Sequence, residues 1–533
     1  MAQITTTNAL NDFDLCLALS QASINSQLGF GWKAWKARKQ LADTFDLLIT
    51  KNGEGKVVPS KLGLKSVKVA PLTVSLAVKD AMRNQVMVHL RLESGTVAYF
   101  DEEKGVPADY PIKDWEISFV TNLEQQPVDL QALKLIDPQG HETTQALIKA
   151  SGLPDSVFAI EYLFLKLTNL QLLLPGNTKS QIPDKVPRSA YRKAVDVIDL
   201  WFDKQVGSYL LGTVVRRNTK QATPTFAMTD FVFSIRGHDK VPDASTLNYL
   251  GEFSGRVLPS DLNGARDKLK DAWLKPEQVN GVESSVAGVM AIGSAVFLEK
   301  YLLPKVAWAL FTFDFPRMLN VGHGYQAGVT PPVPPRKGLT WTFSRSETEK
   351  EFANRFLAER TVAEGGYNLD FTVKPSTNQI SINGRVSTKV HFDAGLSMDA
   401  ITEWAHTEGH RDIAGSFSLT GNGIGTEFNL QSTLAFTLGQ PVVDRNELGG
   451  AVKINEAWKA LKFIPATPEE LVKRKGEEIL DALNKAMKDS LSQLDLNLKQ
   501  HTFIPPGGGV FTFQNPRFSD AGDLFFDVIY RAP

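Results

Sequence analysis

"GVMAIGSAVFLEKYLL" occupies residues 288–303, and a looser version of the same pattern, "DLCLALSQASINSQL", occupies residues 14–28. Each begins with an apolar run, passes through a serine, and continues into a stretch able to wind as a helix. A shift of 274 positions lays Leu15 on Val289, Cys16 on Met290, Ser20 on Ser294, Ile24 on Leu298 and Leu28 on Leu302. A strand-plus-helix sentence written twice is the first sign of an internal duplication.

Working outward from these two stretches, the same order of elements follows each. After the first come segments of period-two alternation. Val74, Leu76 and Val78 share one face, as do Val86, Val88, Leu90 and Leu92, then Trp115, Ile117 and Phe119. Such alternation predicts antiparallel strands with one dry face and one wet face. The run 156–175 fits either a buried strand or a helix. In "SAYRKAVDVIDLWFDKQVGSYLL" the period changes, and Tyr191, Val195, Ile198, Phe202, Val206 and Tyr209 step by three or four. That spacing predicts an amphipathic helix, with Ser189 placed to cap it. "DFVFSI" then reads as a strand, and 237–285 as a polar, turn-rich connection.

The second half repeats the order. A proline-rich linker (330–338) precedes alternation at Tyr367, Leu369, Phe371 and Val373 and at Phe428, Leu430, Leu434, Phe436 and Leu438. Asn383-Gly384 suggests a tight hairpin turn. "TPEELVKRKGEEILDALNKAMKDSLSQL" is the strongest helix in the chain, with Thr467 and Glu470 as a capping box and Pro468 at the first helical position. Its stripe is Leu471, Val472, Ile479, Leu483, Met487, Leu491 and Leu494, and over 467–494 it would run about 40 Å. "VFTF" and "LFFDVIY" close the chain as strands. The caps Ser189 and Thr467 differ by 278 positions, and Phe231/Phe511 and Phe233/Phe513 by 280. These offsets divide the chain into a first unit (1–240), a connecting segment (241–285) and a second unit (286–533).

Composition excludes several functions. Lys plus Arg (58) nearly cancels Asp plus Glu (59), so no overall field recruits nucleic acid. The single cysteine, Cys16, permits no intramolecular disulfide and no cysteine-rich metal site, and its apolar surroundings predict a small buried side chain. The N-terminal residues lack a secretion-signal pattern, which fits a cytoplasmic protein or one released by a signal-independent route. Charged residues break both long apolar stretches, Glu161 and Lys166 in 156–175 and Glu299 and Lys300 in 286–311, so the chain reads as soluble. "HTEGH" (406–410) lacks the glutamate that a zinc-peptidase helix carries after its first histidine, and Gly409 weakens any helix there. It reads as a solvated loop. The other histidines are scattered, no nucleophile elbow or phosphate loop is present, and no catalytic or metal residue and no cofactor is assigned.

A long helix with a broad apolar stripe buries itself by lying along the dry face of a sheet. The fold class is therefore α+β. A lining of Leu, Phe and Met either packs solid or leaves a groove for an apolar ligand. The candidate lipid contacts are Tyr191, Val195, Ile198 and Phe202 on the first helix and Ile479, Leu483, Met487 and Leu491 on the second.

The landmarks "NDFDLCLALSQASINSQL", "GVMAIGSAVFLEKYLLPKV" and "GGGVFTFQNPRFSDAGDLFFDVIY" span nearly the whole chain. In them the sequence resembles the OrfX and forty-seven-kilodalton accessory proteins encoded beside some botulinum-type neurotoxin genes. The resemblance implies elongated tandem TULIP-like (tubular lipid-binding) units, each a curled antiparallel sheet wrapped along a long amphipathic helix. It also implies a non-enzymatic lipid- or apolar-ligand-binding protein with a toxin-associated or insecticidal role, with peripheral membrane contact and a toxin-cluster protein as possible partners. The alternative is a toxin-complex interaction module with solid cores and no ligand.

Overall fold

The computed structural model describes residues 10–531 except 39, 78–84, 151–153, 167–170, 173–181, 184, 204–207, 218–225, 227, 239, 254–255, 270–272, 280–285, 317–331, 355–357, 396–400, 423–428, 450–466, 492–501 and 505–509. Val78, Val206, Phe428, Leu494 and residues 330–331 of the proline-rich linker lie outside the described residues.

The first half runs β1 (Leu15–Ser20), α1 (Gln21–Arg38), β2 (Thr44–Lys51), β3 (Val57–Val69), β4 (Thr73–Ser75), β5 (Gln85–Asp101), β6 (Val106–Pro127), α2 (Leu130–Ile136), α3 (Pro138–Ala150), β7 (Phe158–Lys166) and β8 (Gln171–Leu172). It continues through α4 (Arg188–Trp201), β9 (Ser208–Arg217), β10 (Met228–Arg236), β11 (Thr246–Phe253), α5 (Leu262–Asp267) and α6 (Pro276–Val279). The second half begins with β12 (Gly288–Ile292), a π-helical stretch (Ala295–Leu302) and α7 (Leu303–Thr312). Then come β13 (Thr340–Asn354), β14 (Ala358–Val373), β15 (Gln379–Gly395), β16 (Ile401–Asn422), β17 (Asn429–Leu438) and β18 (Val442–Gly449). The chain ends with α8 (Pro468–Leu491), β19 (Thr502–Ile504), β20 (Val510–Phe518) and β21 (Leu524–Arg531).

Among the described residues the strands form three antiparallel sheets. The central one has the order β10-β11-β1-β12-β21-β20. The two stretches that opened the sequence reading are its middle strands, with Leu17 paired to Met290 and Cys16 to Ala291. Both faces of this sheet are covered. Leu17, Leu19, Met290 and Ile292 point into the main core, whereas Cys16, Ala18, Val289 and Ala291 point into a second cluster holding Trp273, Leu274 and Phe525. Burial on both sides is why these strands read as unbroken apolar runs. Cys16 is fully buried, as expected, and burial pushes its thiol well above the usual range.

The other two sheets each curl along a helix. The larger has the order β19-β9-β7-β6-β5-β3-β2, with β4 added on β5 and β8 on β6, and α4 lies across β2, β3 and β5. The other has the order β13-β14-β15-β16-β17, with β18 sharing the β16 edge, and α8 lies on β15 to β18 and against α7. This is the expected α+β class. The alternating residues behave as their phase predicts: Val86, Val88, Leu90, Leu92, Trp115, Ile117 and Phe119 are all buried.

Several local expectations are corrected. Ser189 does not cap α4; the helix starts one residue earlier after Pro187 and has no side-chain cap. The helix also stops short, and Tyr209 stands in β9, because the β-branched and aromatic run beyond Gly207 pairs with β7. Asn383 and Gly384 sit inside β15, paired with Asp370 and Leu369, and the turn falls at Pro375–Asn378, where Ser376 takes φ 60. The segment read as a polar connection contributes β11, every residue of which is buried. Ser20 accepts from the Ser23 N–H and so caps α1, but its counterpart Ser294 makes no cap bond; Asp523 accepts the Ser294 N–H instead. At Thr467 the expected cap forms, its hydroxyl accepting from the Glu470 N–H at 3.2 Å.

Candidate functional site

Each of the two helices α4 and α8 packs along its sheet in an apolar seam. In the first, Ala190, Ala194, Val197, Ile198 and Trp201 of α4 face the sheet. Its far end is filled by rings. Trp201 meets Trp32 edge-on at 6.3 Å, Trp35 at 6.1 Å and Phe45 at 5.7 Å, and stacks on Phe202 at 5.2 Å, which in turn meets Phe119. Aromatic pairs in this range attract beyond simple area burial, so the end of the seam is closed by stiff, mutually oriented groups. Burial raises the Tyr191 hydroxyl and lowers Lys193 on the same helix.

The second seam has another character. The stripe Leu471, Val472, Ile479, Leu483, Met487 and Leu491 is buried, with no aromatic ring among its members. Two polar pins hold the helix down. Arg411 donates to the Lys473 carbonyl at 3.1 Å and pairs with Glu477 at 3.2 Å, and Ser432 donates to the Leu491 carbonyl at 3.2 Å. Eighteen residues separate the pinned carbonyls, a span of about 27 Å of helix. Close approach at the first pin needs glycine. A Cβ on Gly409 would lie 2.5 Å from a Val472 methyl, and one on Gly476 would lie 2.8 Å from the Arg411 chain.

Between the pins the rim is half-open. β17 is the last strand of its path, and its inward-facing Leu434, Phe436 and Leu438 are only partly buried. On the helix, Leu480 flanks the stripe on one side and Ala482 and Ala486 on the other, all three half-buried. The arrangement offers apolar contact area between the two pins, with the Asn484 side-chain oxygen buried along it.

Of the eight residues predicted as lipid contacts, seven lie on the closed floor of these seams: Tyr191, Ile198, Phe202, Ile479, Leu483, Met487 and Leu491 are 0–8% exposed. Val195 is half-buried. The rim residues were missed as candidates. The phase of Leu434, Phe436 and Leu438 was legible, but the edge position of their strand was not.

One of the histidines read as scattered, His391, is brought next to His406 by the fold. "HTEGH" is part of strand β16, not a loop, because Gly409 is where α8 crosses and the flanking residues alternate between faces. His406 is buried and lies directly across from His391. In the larger sheet His89 bridges three strands, with Ser75 at 2.8 Å from Nε2 and Ser118 at 2.8 Å and Glu116 at 3.2 Å from Nδ1. Ser118 and Glu116 share that nitrogen on the outer face, a ladder that ties β4, β5 and β6 together.

Among the described residues no helix is long and apolar enough to cross a membrane. No family model matches the chain, and no curated protein matches it. Solved structures do. P47 from Clostridium botulinum A2 matches at 9% identity and a TM-score of 0.44, covering 99% of this chain and 100% of that one. A lipopolysaccharide binding protein matches at 10% identity and a TM-score of 0.32, covering 98% and 99%.

Proposed function

We propose that this chain is a non-enzymatic binding protein that takes up a lipid or another apolar molecule along the α8 seam. The observation that carries this reading is the half-buried row Leu434, Phe436 and Leu438 at a sheet edge, beside the buried apolar stripe of α8 and between two polar pins. An apolar chain laid on that row would remove further apolar area from water, at about 25 cal/mol per Å². Leu434, Phe436 and Leu438 are then the first contacts, and Ile479, Leu483, Met487 and Leu491 the floor beneath. Tyr191, Val195, Ile198 and Phe202 hold the corresponding positions on α4, where the ring cluster around Trp201 fills the seam and less ligand contact is expected. The toxin-associated or insecticidal setting rests on the sequence resemblance alone.

Organic extraction of the pure protein followed by mass spectrometry tests the reading, together with uptake of a fluorescent fatty acid and a fluorescent phospholipid. A co-purifying lipid or saturable uptake is the expected result. A clean extract with no uptake of either probe contradicts it. The second reading, an interaction module with solid cores in a toxin complex, is favoured by the complete burial of Ile479 and Met487. It expects no uptake, and it expects neighbouring gene products to lose activity when this chain is withheld.

A further inference from the structure

His391 on β15 and His406 on β16 stand opposite each other on the sheet face away from α8, with their Nδ1 atoms 3.3 Å apart. Each imidazole is held from behind. His391 Nε2 lies 2.8 Å from Asp393, whose other oxygen is 3.0 Å from Arg360. His406 Nε2 lies 2.9 Å from Glu408, which is 3.0 Å from Lys389. A carboxylate paired with a cation accepts the Nε2 proton, and a neutral imidazole has only one. If each Nε2 donates to its carboxylate, the two Nδ1 atoms are left as acceptors that converge on one point between the strands, an arrangement that a positive centre there would relieve.

Two centres fit, a proton or a metal ion. Metal-bound histidines commonly donate their other ring N–H to a carboxylate, which fixes the tautomer and the ring orientation. A tetrahedral ion with metal–nitrogen bonds of about 2.0–2.1 Å sets its two nitrogen ligands about 3.3–3.4 Å apart. The observed separation agrees with that figure.

We propose that His391 and His406 form a cross-strand binding site for a divalent transition-metal ion of the zinc or copper type, with Asp393 and Glu408 as positioning residues. Among the described residues no third His, Cys, Asp or Glu completes a ligand set, so water fills the remaining positions and the ion is exchangeable. The motif "HTEGH" thus contributes one ligand, and the other comes from the neighbouring strand.

The test uses the full chain stripped of metal and then given zinc chloride or copper chloride. Thermal unfolding is expected to shift upward with either ion, because a ligand that binds only the folded state stabilises it. The shift is expected to vanish in His391→Asn and in His406→Asn, and Asp393→Asn is expected to weaken binding about 10–100-fold. The copper complex should show two imidazole nitrogens in its electron paramagnetic resonance spectrum, which keeps the question open to the wild-type chain if a variant does not fold. A wild-type chain whose melting is unmoved by both ions overturns the proposal, as does a shift retained in both histidine variants. Ring-nitrogen resonances showing a shared proton that added zinc fails to displace also overturn it.

Discussion

Helix α4 ends among indole rings, whereas the buried stripe of α8 carries no aromatic ring. α4 has 14 residues and finishes where Trp201 meets Trp32, Trp35 and Phe45. α8 has 24 residues, a stripe of Leu, Val, Ile and Met, and a half-open rim in which Phe436 is flanked by Leu434 and Leu438. The two seams share a plan and differ in stiffness. Large flat rings fit together in few ways, so a seam filled with them resists rearrangement. Leucine and methionine repack at lower cost, methionine most of all. One architecture can therefore hold a closed core in one half and an adaptable one in the other.

If the first seam is a rigid plug, removing its central ring has the largest effect. Trp201→Ala is expected to cost about 3–5 kcal/mol, measured by denaturant unfolding. Leu483→Ala in the second seam is expected to cost about 2–5 kcal/mol, nearer the lower figure if Met487 fills the space. A loss for Leu483→Ala larger than that for Trp201→Ala would break the comparison.

The central sheet supplies a pH test that sharpens it. Glu252 is fully buried beside Asp14, with Arg256, itself bonded to Asp14, 3.5 Å away. Burial first, and then the Asp14 charge, pushes its carboxyl up to about 8. The folded chain therefore holds a proton that the unfolded chain releases near pH 4.5. Between these values the native state binds more protons, so stability falls as pH rises, by at most about 1.4 kcal/mol per pH unit. Glu252→Gln is expected to flatten that slope in unfolding curves taken from pH 5 to 8, without altering ligand uptake at either seam. Smaller still is the helix cap, where Thr467→Ala is expected to cost about 1 kcal/mol.

The strands and both helices were legible because their apolar periods differ, two for Tyr367 to Val373 and between three and four for Ile479 to Leu491. The pairing of β1 with β12 was not, because a repeated pattern does not say whether its copies touch. Gly384 and Gly409 misled for one reason: each sits inside a long strand, one paired with Leu369 and the other under Val472, where local composition suggests a turn or loop. Of the candidate site, sequence phase identified the floor. The rim depends on which strand ends a sheet, and the His391–His406 pair on which strands adjoin; both are properties of topology.

The α8 seam, and not the α4 seam, is expected to be the adaptable one. A photoactivatable fatty acid, cross-linked to the full chain and located by peptide mapping, tests it most directly. Label is expected on peptides carrying Leu434 to Leu438 and Ile479 to Leu491, and it should fall when Phe436 is changed to serine while the melting temperature barely moves. Label confined to peptides carrying Tyr191 to Phe202, or no label above that on the denatured chain, would contradict the claim.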